Sequence, residues 1–356
     1  EVLETMHHYL DCCYGNPSAV HSFGREARAA IEKARKIVAN SINASTGEIF
    51  FTSGGTESNN MAMQCAVRDI GITRIISSKI EHHCVTHTLD LLAAKANVKV
   101  EYVNLLTDGH VDLNHLESLL TNSDDKTMVA LMYANNELGN LLDVEKVSEL
   151  CAAHNALFHS DTVQAVAHYN IDVQKTKFSF LTGSAHKFHG PKGIGFVYIN
   201  SDVKLAPMMY GGSQERNMRA GTENVAGIAG LGKAIEMAYD ELDEMRGYIT
   251  SLKTHMTQRL KNELPGVKFN GDTENGLYTV LSVALPDDGK GNLILFNLDI
   301  QGIAASGGSA CSSGTDVGSH VIKAIGAHPG TNTVRFSFSK YNTCLLYTSP
   351  SPRDEK

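Results

Sequence analysis

The sequence lacks the features that mark several large classes of protein. It contains no apolar run that approaches the roughly 20 residues needed to cross a bilayer, so a membrane-spanning helix is not expected. Its first residues do not resemble a signal peptide. Acidic residues outnumber basic ones, and the formal net charge is −8. Because non-specific binding to nucleic acid favours a basic surface, we expect no nucleic-acid partner.

The seven cysteines are odd in number and contain no CxxC pair. They predict neither a disulfide framework nor a structural zinc site, and they favour a reducing compartment, so the predicted location is cytoplasmic. Histidines are concentrated at His82, His83 and His87, but no HExxH or other closed ligand set accompanies them. The sequence therefore predicts no metal site.

With 356 residues, of which 42% are hydrophobic and 20% charged, the chain is long enough for two globular domains. A long helical pattern begins near residue 225 and continues to Pro265-Gly266, and a smaller α+β pattern follows it. We expect a large domain over 1–230 that lacks its N-terminal strand, a small domain over 231–343, and an atypical unstructured tail over 344–356.

Strand and helix patterns alternate through the first half of the chain. This alternation predicts an α/β fold with a mostly parallel sheet, in which ligands bind beyond the carboxyl ends of the strands. Five polar clusters follow predicted strands, and their convergence on one sheet edge predicts a binding site. These clusters are Gly54-Gly55-Thr56, Glu81-His82-His83, Asn135-Asn136-Glu137, Asp161-Thr162-Val163-Gln164 and Ser184-Ala185-His186-Lys187.

Lys187 lies between two apolar strand patterns, over 178–183 and 193–199. A lysine in such a loop is expected to be semi-buried, and desolvation favours its neutral form. A neutral amine can form a Schiff base with an aldehyde. The alternative is a loop lysine without a role.

Two other clusters each have a functional and a structural interpretation. Gly54-Gly55-Thr56 opens a helix after a strand, which suits either an anion such as phosphate or a simple helix start. Asp161 could cap the next helix. Beside a Schiff-base lysine it could instead keep a pyridinium nitrogen protonated, the arrangement that makes pyridoxal phosphate (PLP) an electron sink.

Cys311 is surrounded by small residues and glycines over 304–314, which predicts an exposed loop and a candidate nucleophile. Cys65 and Cys151 lie instead on apolar helix faces and are expected to be buried. Arg335 interrupts an apolar strand pattern, so it could bind a carboxylate or form a structural ion pair.

Taken together, these motifs resemble those of the cysteine desulfurases, PLP enzymes of the class-V aminotransferase family with fold type I. The resemblance is to the class that carries its catalytic cysteine in a long SGSAC-type loop and feeds iron–sulfur cluster assembly. It extends from Tyr9 to Thr343, with Gly55 and Leu138 as mild departures. The motifs that carry it are Thr52-Ser53-Gly54-Gly55-Thr56-Glu57-Ser58-Asn59, Glu81-His82, Asn135-Asn136-Glu137-Leu138-Gly139, Asp161-Thr162-Val163-Gln164, Ser184-Ala185-His186-Lys187, Arg219-Ala220-Gly221-Thr222-Glu223-Asn224 and Gly308-Ser309-Ala310-Cys311.

The resemblance implies a role for each candidate residue. Lys187 would bind PLP and move the substrate α-proton, His82 would stack on the ring, and Cys311 would attack the substrate sulfur. Asp161 would pair with the ring nitrogen and Gln164 with the ring oxygen. The phosphate would be held by Gly55, Thr56, Ser184 and His186, and by Thr222 from a second subunit; the substrate carboxylate would be bound by Asn136 and Arg335.

The resemblance further implies L-cysteine as substrate, L-alanine as product, a homodimer, and an iron–sulfur scaffold or other sulfur-acceptor protein as partner. Three alternatives remain open: a selenocysteine lyase, another PLP-dependent lyase or aminotransferase of the same fold, and a non-catalytic sulfur-relay partner. A cysteine hydrolase is disfavoured, because no base and orienting group can be assigned to Cys311.

Overall fold

The structure is a computed structural model that describes residues 1–287, 293–307, 319–328 and 330–343. The predictions made for Cys311 and for the tail over 344–356 lie outside the described residues.

Contacts divide the chain into two compact units. The first comprises Glu1–Val103, Leu113–Tyr133 and Asp143–Leu242, and the second comprises Asn104–Asp112, Ala134–Leu142 and the chain from Asp243. The division into domains 1–230 and 231–343 stays a prediction.

Hydrogen bonds explain why Ala134–Leu142 belongs to the second unit. The backbone N–H of Leu277 donates to the carbonyl of Gly139 over 2.6 Å. The side chain of Asn140 donates to the carbonyl of Asp108 and accepts from the N–H of Asp272. These bonds join segments that are distant in sequence, so no local pattern predicts them.

The first unit contains a seven-stranded sheet with the order β1-β7-β6-β5-β4-β2-β3. Strand β7 runs antiparallel to both of its neighbours, β1 and β6, whereas all other neighbouring strands are parallel. The predicted mostly parallel sheet is therefore confirmed. Every residue of β1, β2, β4, β6 and β7 is buried, as expected for a sheet covered by helices on both faces. The strands are β1 Ile49–Thr52, β2 Arg74–Ser77, β3 Lys99–Tyr102, β4 Thr127–Ala130, β5 Leu157–Ser160, β6 Phe180–Ser184 and β7 Gly195–Ile199.

Helices of the first unit bury apolar residues that recur at helical spacing. In α2, for example, Ala27, Ile31 and Val38 are fully buried. No helix in the described ranges is long and apolar enough to cross a membrane. The helices are α1 Val2–Asp11, α2 Ser22–Ser41, α3 Gly55–Cys65, α4 His83–Ala96, α5 Leu113–Thr121, α6 Val144–Ala153 and α7 Val225–Asp240.

The second unit contains a three-stranded antiparallel sheet with the order β10-β9-β8. The single long helix predicted after residue 225 is instead two helices, α7 and α8, which are separated at Glu241. The apolar spacing continues across this break, which is why the sequence pattern did not reveal it. The elements are α8 Leu242–Glu263, β8 Lys268–Asn270, β9 Val280–Pro286, α9 Ile294–Ile300, α10 His320–Ala324 and β10 Thr331–Ser337.

A buried ion pair anchors the edge strand β1. The guanidinium of Arg35 on α2 donates to both carboxylate oxygens of Glu215 over 2.7 and 2.9 Å, and the N–H of Phe51 donates to the same carboxylate over 2.8 Å. Arg35 also donates to the carbonyl of Ile49. Arg35 is 0% exposed and Glu215 2% exposed, so the pair is shielded from solvent and fully hydrogen-bonded.

We predict that Glu215→Ala lowers the free energy of unfolding by about 3–5 kcal/mol, because it leaves the buried Arg35 charge with only the partly exposed Glu32 as an ionic partner. Urea unfolding followed by circular dichroism measures this change. The control is Glu149→Ala, which removes the exposed partner of Lys146 and should change the same free energy by no more than about 1 kcal/mol. Equal losses in both variants would contradict the prediction.

Candidate active site

The end of β1 closely approaches the pair β6–β7. Gly54, directly after β1, has a φ of +148°, a conformation that favours glycine. A Cβ on Gly195 would lie 2.7 Å from the Cα of Gly54 and would collide with the carbonyl of Gly183. This close approach brings the start of α3 next to Ser184, whose Oγ would lie 3.5 Å from a Cβ on Gly54.

The start of α3 and the end of β6 form a group of donors suited to an anion. No side chain caps α3, and the N–H groups of Gly55 and Thr56 have no acceptor among the residues that the structure describes. Ser184 Oγ lies 3.0 Å from His186 Nδ1. Partial burial and the positive charges of Lys187 and Lys192 lower the pKa of His186. Unsatisfied amides at a helix start, with cations nearby, favour an anion at this point.

The surroundings of Gly55 explain one departure from the cysteine desulfurase motif that the sequence resembles, in which alanine is usual at this position. A Cβ on Gly55 would lie 2.6 Å from Cγ2 of Val163, closer than non-bonded carbon atoms approach each other. Val163 therefore favours glycine at the start of α3.

Asp161 lies directly after β5 and is 7% exposed. Its Oδ2 accepts a hydrogen bond from Asn59 Nδ2 over 2.8 Å, and its Oδ1 accepts one from the N–H of Val163 over 3.0 Å. The second bond caps a turn, and the helix that one interpretation expected Asp161 to cap is not formed, because residues 163–168 form turns. A carboxylate offers about four acceptor positions, so Asp161 can accept a further donor. In the described part of the chain no cation forms an ion pair with it, although a buried charge favours such a partner.

The network behind Asp161 contains residues that the sequence analysis did not identify. His159 Nε2 donates to Asn59 Oδ1 over 2.8 Å, and Asn59 in turn donates to Asp161. Burial lowers the pKa of His159 to about 3, so its ring is neutral. Two spacings could have revealed them: Asn59 is one helical turn after Gly55, and His159 is two residues before Asp161 on the same face of β5.

Glu81 adds a second buried acid near Asp161. Burial and the charge of Asp161 raise the pKa of Glu81 well above its usual value, against the hydrogen bond that Glu81 Oε1 accepts from the N–H of Met132 over 2.9 Å. The protonated form of Glu81 is thereby favoured, and the negative charge at this sheet edge is concentrated on Asp161.

His82 is half-buried at the start of α4, where its Nδ1 accepts a hydrogen bond from the N–H of Cys84 over 3.2 Å. Cys84 Sγ lies 3.0 Å from the same Nδ1 and 3.3 Å from Asn59 Nδ2. With Nδ1 as acceptor, we assign a proton to Nε2. The bond fixes the orientation of the ring beside the Asn59–Asp161 network.

Lys187 lies in the short 3₁₀ turn Ala185–Phe188, directly after β6. The prediction that it is semi-buried is wrong: Lys187 and His186 are exposed, whereas Ala185 and Phe188 are buried. The turn directs its two apolar residues into the core and its two basic residues outward. The apolar strands on either side therefore do not desolvate the amine.

Gln164 and Thr222 are the remaining candidates in the first unit. Gln164 is half-buried three residues after Asp161. Thr222 is exposed and lines a cleft with Ser53 and Arg219 of its own chain. Arg219 Nε donates to Glu57 Oε1 over 2.9 Å, which ties this segment to α3. The contribution of Thr222 to a second subunit stays a prediction.

Asn136 and Arg335 are neighbours in the second unit. Arg335 Nη1 donates to the carbonyl of Asn136 over 2.9 Å. The backbone of Arg335 exchanges two hydrogen bonds with Ser306, over 3.1 and 2.6 Å. The two residues expected to bind a carboxylate are thus held together, beside Ser306, which lies in the predicted cysteine loop over 304–314.

Comparisons with known proteins identify the family. The profile of the aminotransferase class-V family matches residues 1–344. The cysteine desulfurase IscS of Dictyoglomus turgidum is 40% identical over 350 residues, covering 96% of this chain and 87% of that protein. A solved NifS-like protein is 36% identical with a TM-score of 0.89, covering 96% of this chain and 91% of the other. The solved structure of SspA in complex with cysteine is 29% identical with a TM-score of 0.83, covering 96% of each chain.

Enzymes of this family depend on PLP, and the site's residues fit that group. The unsatisfied amides of Gly55 and Thr56 match a phosphate, and the buried Asp161 matches a protonated ring nitrogen. Lys187 supplies an amine at the same end of the sheet as both. The chain belongs to the PLP-dependent aminotransferase class-V family and groups with its cysteine desulfurases.

Proposed function

We propose that this protein converts L-cysteine to L-alanine and transfers the sulfur to Cys311 as a persulfide. The observation that carries this proposal most directly is Asp161: a buried carboxylate with free acceptor capacity and no cation in an ion pair with it in the described chain. Such a group favours a cationic ring, which the cofactor of this family provides. The relatives named cysteine desulfurase indicate which reaction uses that ring.

Three sets of residues in the first unit would hold and orient the cofactor. The amides of Gly55 and Thr56, with Ser184, His186 and Thr222, would bind its phosphate. Asp161 would hold a proton on its ring nitrogen, and Gln164 would donate to its ring oxygen. His82 would stack against the ring, because its orientation is fixed by the hydrogen bond from Cys84 to Nδ1.

Lys187 would move protons at the substrate. When bound, PLP withdraws electrons from the α-carbon and so allows the substrate's C–S bond to break. The Nζ of Lys187 would remove the α-proton and return a proton to carbon. Its exposed position on a turn after β6 is compatible with this reach. Asn136 and Arg335 would bind the α-carboxylate during these steps.

The sulfur transfer balances without an external oxidant. The thiolate of Cys311 attacks the sulfur of L-cysteine, an S–S bond forms and the C–S bond breaks. The electron pair of the broken bond remains with carbon, which takes up a proton and leaves as L-alanine. Cys311 is left as a persulfide. Its assignment depends on the sequence motif Gly308-Ser309-Ala310-Cys311.

The protein would act in the cytoplasm as a homodimer and pass its sulfur to an iron–sulfur scaffold or another acceptor protein. The reducing compartment is supported by Cys12, Cys13, Cys65, Cys84 and Cys151, all of which are free thiols.

The decisive experiment locates the lysine. We expect the purified protein to absorb visible light because of its cofactor, and borohydride to bleach that band and fix the cofactor to Lys187, as peptide mass spectrometry would show. Lys187→Ala should abolish the adduct, whereas the control Lys192→Ala should retain it. An adduct on another lysine, or a protein that PLP cannot reconstitute, would overturn the assignment.

Cys311→Ser should bind the cofactor normally and lose sulfide release from L-cysteine in the presence of a thiol reductant. The reason is that a hydroxyl cannot accept the sulfur atom. Sulfide assay and mass spectrometry of the persulfide measure the loss, and Cys12→Ser, at an exposed thiol, is the control. Undiminished turnover in Cys311→Ser would favour an aminotransferase instead.

Asp161→Asn should lower kcat by about 100-fold or more, because it removes the charge that stabilises a protonated ring. Steady-state kinetics and the cofactor's absorption spectrum measure the change. Asp240→Asn, at an exposed position near the end of α7, should leave both unchanged. If Asp161→Asn turned over as fast as the unmodified protein, the ring-nitrogen role would be excluded.

A further inference from the structure

A cluster of three potential metal ligands lies outside the candidate active site. It consists of His8 in the last turn of α1, Cys13 just after that helix, and Glu26 on α2. One ligand atom from each residue lies within 4.8 Å of the others, and Cys13 Sγ lies 3.3 Å from His8 Nε2. The proposed desulfurase chemistry uses none of these three side chains.

The backbone at the end of α1 holds His8 and Cys13 together. The carbonyl of His8 accepts hydrogen bonds from the N–H of Cys12 over 2.9 Å and from that of Cys13 over 3.2 Å. These two bonds close the helix end, so the five-residue spacing brings imidazole and thiol to one side. The pairing does not depend on the side chains themselves.

The loop between α1 and α2 places Glu26 near His8 and Cys13. Gly24, in the first turn of α2, is so close to the preceding loop that a Cβ there would lie 2.6 Å from the carbonyl of Asn16. His21 caps the same helix start, because its Nδ1 accepts from the N–H of Gly24 over 3.2 Å. Glu26 therefore projects from a helix whose start is fixed against the loop that follows Cys13.

The ligand atoms suit a borderline divalent cation. Thiolate sulfur, imidazole nitrogen and carboxylate oxygen are the donors that zinc selects, and a three-ligand site keeps a fourth position for water. Cys13 is 4% exposed, whereas His8 and Glu26 are exposed, so the cluster is closed on the protein side and open on the other. The 3.3 Å between His8 Nε2 and Cys13 Sγ is close to the roughly 3.5 Å that separates two ligands of one tetrahedral zinc ion.

The thiol of Cys13 donates its proton in a hydrogen bond to the carboxylate of Glu26. Binding of a zinc ion forms a Zn–S bond and releases this proton to solvent, and the carboxylate that had accepted the hydrogen bond becomes a ligand.

We propose that His8, Cys13 and Glu26 bind one zinc ion, with water as the fourth ligand, and that this ion joins the end of α1 to α2. The site is separate from the desulfurase chemistry and does not depend on it.

The test uses the full chain with its cofactor bound, in a Cys311→Ser background that removes the Cys311 thiol as a competing ligand. The protein is equilibrated with zinc chloride, and bound zinc is counted by mass spectrometry after gel filtration. We expect one zinc per chain and a melting temperature raised by a few degrees in excess zinc. Retention of no zinc would overturn the proposal.

Neighbouring residues provide matched controls. Cys13→Ser and His8→Ala should each weaken zinc affinity at least about tenfold. Cys12→Ser and His7→Ala change the same residue types one position away and should leave the affinity unchanged. Equal binding by Cys13→Ser, His8→Ala and the parent would place the ion elsewhere and overturn the proposal.

A spectroscopic measurement on the parent avoids dependence on the folding of any variant. Cobalt replaces zinc, and the difference spectrum with and without cobalt is recorded on the same holoenzyme. A thiolate-to-cobalt charge-transfer band that persists in Cys12→Ser supports Cys13 as ligand. Absence of such a band in the parent would contradict a site that contains Cys13.

Discussion

The close approach of Gly54 to Gly195 is the constraint on which the candidate active site depends. A Cβ on Gly195 would lie 2.7 Å from the Cα of Gly54, so the end of β1 can meet β6–β7 only if this side chain is absent. That contact sets the start of α3 beside Ser184 and the turn that carries Lys187. The anion-binding amides and the amine thus share one sheet edge because of a packing requirement at Gly54, directly before those amides, and at Gly195 on β7.

Two charged environments follow from this arrangement. At the start of α3, unsatisfied amides and nearby lysines favour an anion, whereas Asp161 at the end of β5 favours a cation. Burial favours the protonated form of Glu81, so the negative charge is concentrated on Asp161. A cofactor with a phosphate at one end and a protonated ring nitrogen at the other matches both environments at once.

Local patterns predicted much of the fold but little of the network that supports the site. The mostly parallel sheet follows from the alternation of strand and helix patterns, and the structure contains it. The break at Glu241, the exposure of Lys187 and the bonds of Asn59 to His159 and Asp161 were not predicted. Each depends on side-chain direction or on partners about 100 residues away, which periodicity does not encode.

The buried charges of the first unit separate into two kinds, and the difference distinguishes stability from function. Arg35 and Glu215 are joined by two hydrogen bonds, and Glu215 also accepts one from the N–H of Phe51. The charges and hydrogen-bonding groups of this pair therefore find their partners within the fold. Asp161 is also buried, but its two hydrogen bonds come from neutral groups. Because a buried carboxylate favours a cation, a fold that leaves Asp161 with neutral donors alone is less stable than one that pairs it. That cost is explained if the cation arrives with the cofactor, and it makes Asp161, rather than the more strongly bonded Glu215, the acid that indicates a binding site.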